Sequence, residues 1–146
     1  MKDNRQPDGT SATPSALVPE VCLRSFRECF NTGRFYEAHE VLETLWLPVR
    51  RTAEGEIWKG LIQLAAAFVH VQHGRRGPAR ALLRTARARF LQAGAGHPLV
   101  DLPAAVAIAE SWEERIAGEI GGDLALLLAE GAPRLDPPAT TGLQGR

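Results

Sequence analysis

The stretch Phe35–Trp46, FYEAHEVLETLW, decides the fold: its apolar residues recur at helical spacing while it also carries three glutamates and a histidine. At 100° per residue Ala38, Leu42 and Leu45 share one face, Trp46 stands at its edge, and His39 and Glu43 stack one turn apart beside it. Glu40 lies on the same polar flank. Glu37 turns away, toward water or the first turn, where the helix dipole favours a carboxylate. Pro48 stops the pattern.

Moving toward the carboxy terminus, WKGLIQLAAAFVH at residues 58–70 is the converse case, a nearly all-apolar run interrupted at helical spacing by Lys59, Gln63 and His70. These three and Glu56 fall within about 60° of one another around the helix. Every other direction is apolar or small, which predicts a central helix from about Glu56 to His73, closed by Gly74. A short loop joins it to the preceding helix, so the two are expected to pack antiparallel, with Trp46 and Glu43 near Lys59 and Gln63 and with His39 carried toward His70.

Punctuation by Gly and Pro places the other elements. A first helix runs from about Pro19 to Phe30 and ends at Asn31–Gly33. A fourth opens at Pro78 and reaches about Gln92, with Ala79, Leu82, Leu83, Ala86 and Phe90 on one face and Arg76, Arg80, Arg84 and Arg87 on the next. Asp101 caps a fifth helix reaching about Ile120, and GGDLALLLAEG reads as a short sixth. The result is an all-α fold, a compact bundle of five to six helices built on the central antiparallel hairpin. Residues 17–133 form one helical domain; residues 1–16 and 134–146, rich in Pro, Gly, Thr and polar residues, are expected to be disordered tails.

A composition of 45% hydrophobic and 23% charged residues over 146 positions is that of an ordinary globular domain. No apolar run approaches the ~18 residues of a membrane span, and the amino terminus has no signal-type stretch, which predicts a cytoplasmic protein with no membrane association. Cys22 and Cys29, seven positions apart, would be separated by ~10 Å of helix rise, beyond disulfide reach, so both are read as free thiols. Net charge is zero, yet residues 57–100 hold seven basic residues and no acid, while residues 101–130 hold seven acids and one arginine. Two neighbouring helices of opposite sign are expected to neutralise each other. That competition, and the lack of interleaved aromatics, argues against nucleic acid as a partner of the arginine face.

The candidate site is the polar cluster His39, Glu40, Glu43, Trp46, Lys59, Gln63 and His70. As a structural lock, Glu43 or Glu40 pairs with Lys59, and Gln63 and the histidines complete a network that sets the register. As a site for a small molecule or anion, the same groups line a cleft beside Trp46 and Trp58. A third alternative is metal binding by His39, Glu43 and His70, although HEVLE supplies one histidine where the zinc-protease helix needs two. A hydrolytic enzyme would use Glu43 beside His39 as base, His70 as acid and Lys59 as electrostatic stabiliser. No nucleophile motif, phosphate-cradling glycine loop or cysteine-rich metal motif is present, so no cofactor is expected. His73 is read as an exposed helix-end residue and His97 as a loop residue. The leading reading is a small binding or scaffolding protein with an unidentified small-molecule or protein partner.

The line from Phe30, Asn31 and Gly33 through Glu37, His39, Glu40, Leu42, Glu43 and Trp46, then Lys59-Gly60-Leu61-Ile62-Gln63, His70 and Gly77, resembles the bacterial and plant family catalogued as domain of unknown function 309. Pro78 stands where that family usually has alanine, a change that the first turn of a helix accommodates. The resemblance spans about Ser25 to Phe90. It implies an all-helical fold and supports the choice of site residues, and it carries no activity, substrate or cofactor with it.

Overall fold

The apolar run that follows Trp58 becomes the axis of the molecule. The computed structural model describes residues 17–118 and 122–139, so the expected tail 1–16, the last residues 140–146 and the end of the fifth helix lie outside the described residues. Six α-helices are present among them: α1 Leu17–Asn31, α2 Phe35–Trp46, α3 Ala53–Gln72, α4 Arg76–Ala93, α5 Leu102–Gly118 and α6 Leu124–Glu130. No strand occurs among the described residues, and no helix there is long and apolar enough to cross a membrane. The expected all-α bundle on a central helix pair is what forms.

Helix α3 buries Ile57, Trp58, Leu61, Ile62, Leu64, Ala65, Phe68 and Val71, and packs against α2 on one flank and α4 on the other. Aromatic rings tie the layers together. Phe30 meets Phe35 edge-on at 5.2 Å, Phe35 stacks on Phe68 at 5.2 Å, and Phe68 meets Trp112 of α5 edge-on at 5.2 Å. Such pairs add about 0.5–1.5 kcal/mol beyond the area they bury.

The corners follow from local chemistry. Gly33, at φ 82°, turns α1 into α2, and its carbonyl accepts from the Gln72 side chain at 2.9 Å, which pins the end of α3 to that turn. Around Pro48 the chain makes one 3-10 turn, Leu47–Val49, and α3 starts three residues before the expected Glu56. Thr52 causes the early start: its hydroxyl accepts from the Gly55 amide at 3.0 Å, and Glu54 and Glu56 sit in the first turn where the dipole favours them. Gly55 is required there, because a Cβ would stand 2.0 Å from the Val49 carbonyl oxygen.

The opposite charges of α4 and α5 do meet. Arg84 donates to Glu113 at 2.8 Å, Arg80 lies 3.9 Å from the same carboxylate, and Arg87 reaches Glu110 at 3.5 Å. Arg76 instead donates to the Ile116 carbonyl at 2.7 Å, satisfying an acceptor in the last turn of α5. Asp101 caps α5 as expected, accepting from the Ala104 amide at 3.1 Å.

The segment from 134 onward, expected to belong to a tail, behaves differently at its start. Residues 134–138 lie along α1, and Leu135 is 3% exposed. The Asn31 side-chain amide donates to the Leu135 carbonyl at 2.9 Å, and its oxygen accepts from the Leu135 amide at 2.8 Å. One amide thus satisfies both backbone groups of the residue it anchors, and the Leu135 side chain closes the core beside Leu23, Phe26 and Leu61.

Candidate functional site

Helix α2 buries Phe35, Ala38 and Leu42 against the rest of the fold, which leaves His39 and Glu43 on the shoulder of the helix. His39 Nε2 lies 3.3 Å from a Glu43 carboxylate oxygen, with side-chain exposures of 23% and 49%. The Tyr36 ring, 59% exposed, lies 5.6 Å from the imidazole. One turn beyond Glu43, the Lys59 ammonium of α3 stands 4.3 Å from the centre of the Trp46 ring, a cation–π contact worth about 0.5–1 kcal/mol at a half-exposed position.

The cross-pairing expected of Glu43 or Glu40 with Lys59 is not formed: among the described residues no ion pair joins them, and Glu40 is exposed. Gln63 turns the other way, its oxygen accepting from Arg89 Nε of α4 at 2.9 Å, while the same guanidinium pairs with Glu56. The reason lies in a small angular difference. Lys59 and Gln63 differ by about 40° around α3, and that row runs along the ridge between α2 and α4, so neighbouring members fall to different helices. No polar or charged residue is fully buried among the described residues. The hairpin is therefore held by its apolar face, and the polar row lies outside that seam.

His70, half-buried in the last turn of α3, has its pKa lowered, first by desolvation and then by the charges of Arg75 and His73. The Nδ1 atoms of His39 and His70 are both shielded from solvent without a hydrogen-bond partner among the described residues, an unpaid polar cost on adjoining helices. The alternative metal set His39, Glu43 and His70 does not assemble: no group of three His, Cys, Asp or Glu side chains converges among the described residues. Two large clefts open elsewhere, one between α4 and α5 and another along α1.

Three contributions escaped the sequence reading. Tyr36 is the exposed aromatic of the surface, and its position beside His39 follows from i, i+3 spacing, a signal that was there to use. Arg89 was absorbed into a basic stretch, although the acid and amide it serves lie on one face of α3. His97 is indeed in a loop, but its side chain is only 8% exposed: Nε2 lies 2.9 Å from Glu54, Nδ1 accepts from the Leu99 amide at 3.0 Å, and the ring meets Trp58 edge-on. An amide can only donate, which fixes the proton on Nε2 and makes that nitrogen the donor to Glu54. His73 is an exposed helix-end residue, its Nδ1 2.8 Å from the Val69 carbonyl. Cys22 and Cys29 are free, and burial raises the Cys22 thiol pKa.

Residues 23–82 match the model of the family described as Domain of unknown function (DUF309). The resemblance carried by Phe30 through Gly77 is borne out: the matched stretch runs from α1 into α4, and all seven residues of the polar cluster lie within it. No curated protein and no solved structure matches the chain.

Proposed function

We propose that this protein is a small cytoplasmic binding module that docks a protein partner on the ridge formed by α2 and α3. The observation that carries the reading is the outward disposition of the polar row. Apolar packing already fixes how α2 meets α3, and His39, Glu43, Trp46 and Lys59 pair with one another on the surface without stitching the core. An exposed Tyr36, a half-exposed Trp46 bearing a cation, and an exposed Leu47 beside them supply the rigid aromatic anchors and polar rim of a docking surface. A cytoplasmic setting suits the two free thiols. The hydrolytic alternative keeps the His39–Glu43 pair, but among the described residues His70 forms no ion pair or hydrogen bond with it, and the clefts of about 610 and 630 Å³ open elsewhere.

Affinity capture from an extract of the producing cell, comparing the wild-type chain with a Tyr36→Ala/Glu43→Gln variant whose melting temperature is measured alongside, tests the reading. Proteins retained by the wild type and released by the variant are expected. Identical captured sets, or a fall in melting temperature of several degrees that returns these residues to a structural role, defeat it.

A further inference from the structure

Away from that ridge, a groove of about 630 Å³ runs along α1 to the segment 134–137, lined by four arginines and two carboxylates. Its charge is not balanced as it is between α4 and α5. Arg80, Arg84 and Arg87 of α4 each meet a carboxylate of α5, whereas Arg24 and Arg27 have no ion-pair partner among the described residues. One turn apart on α1, they project side by side. Arg27 shows the effect: its pKa is lowered, first by burial and then by the charge of Arg24, and is partly restored by Asp136. That carboxylate, held 3.0 Å from Arg134, is brought to the arginine cluster by the segment that crosses α1, while Glu28 of α1 is the other carboxylate of the lining.

We infer that the groove is a binding site for a small phosphate-bearing anion, received between Arg24 and Arg27 of α1 with Arg134 opposite, in the place that the Asp136 carboxylate now partly occupies. Guanidinium forks match a tetrahedral oxyanion in two-point hydrogen bonds, and two of them one turn apart can share a dianion. The groove volume suits a ligand of metabolite size. The chain as a whole has zero net charge, so nothing adds the extended positive field that a nucleic-acid backbone would select. Asn31 ties the strap down through Leu135, which keeps Arg134 and Asp136 at the rim.

Calorimetric titration of the full chain with inorganic pyrophosphate at constant ionic strength is the test. Saturable one-to-one binding is expected. Arg24→Gln/Arg27→Gln should weaken it about tenfold or more, the scale set by losing charged hydrogen bonds. Asp136→Asn, which removes the resident carboxylate, should tighten it severalfold, and Arg84→Gln on α4 should leave it unchanged; melting curves confirm that each variant is folded. Absence of saturable binding, equal affinity in the Arg24/Arg27 variant, or weaker binding by Asp136→Asn overturns the assignment. So does binding of a single-stranded oligonucleotide by a chain that ignores pyrophosphate, which would make the groove a nucleic-acid surface.

Discussion

Replacing Gly60 by alanine should destabilise the protein, against the usual sign for a glycine inside a helix. In an ordinary helix interior alanine gains about 0.5–1 kcal/mol over glycine. Here a Cβ at position 60 would stand 2.6 Å from Phe90 Cε1, 3.1 Å from Cδ1 and 3.2 Å from Cζ. Phe90 is fully buried, so the ring must retreat by most of an ångström into packed neighbours, or α3 and α4 must separate. Overpacking of this kind costs about 1–3 kcal/mol, which outweighs the propensity gain and leaves a net loss of about 1–2 kcal/mol. For a chain of this length that lowers the melting temperature by about 2–8 °C. Urea unfolding of the wild type, Gly60→Ala, Phe90→Leu and the double variant isolates the cause, because the smaller side chain frees the space and the alanine should then cost less than in the wild type. Gly77→Ala, where nothing lies within 4 Å of the new methyl, should be neutral or mildly stabilising. A Gly60→Ala protein as stable as the wild type would refute the close-approach argument.

Asn31→Ala removes both hydrogen bonds to Leu135 and should cost about 1–3 kcal/mol, with faster proteolysis after residue 133 as the direct readout. His70 takes up its proton at a lower pH in the folded chain than in the unfolded one, so its contribution is intact above the ordinary value of 6.5 and stability is lost as pH falls from there toward the depressed value. His70→Gln should therefore shrink the drop in urea midpoint between about pH 7.5 and pH 5.5; an unchanged drop would mean that His70 is not its source. Glu113→Gln breaks the pairing with Arg84 and Arg80 on the protein surface and should cost no more than about 1 kcal/mol, diminishing further in high salt.

Much of the fold could be read from residue pattern because helices announce themselves locally. Pro48 and the positive-φ glycines Gly33 and Gly74 mark where α2 stops and where α1 and α3 turn over, and the sign reversal between residues 57–100 and 101–130 foretold the Arg84–Glu113 contact. Thr52 was missed as the start of α3 because a polar loop hides a single capping hydroxyl. Leu135 was missed because one leucine among Pro, Asp and Thr has no period, and its anchor, Asn31, lies at the far end of the sequence. The polar cluster was legible as a set of residues and misjudged as a partnership. Helical angles place Lys59 and Gln63 on one row, but only the positions of both neighbours decide that one goes to Trp46 and the other to Arg89. Gly60 carries the same lesson, since its partner is Phe90 of the next helix.

Leu135 also bears on what counts as the unit of this molecule. The stretch held in common with the family closes at residue 82, yet Phe90, Trp112 and Leu135, which roof its interior, are all supplied from beyond that limit. A fragment cut to the shared stretch would expose a bare aromatic floor to water and clump. The matched stretch thus lacks its own closure in this chain, and the helices after residue 82 act as its lid.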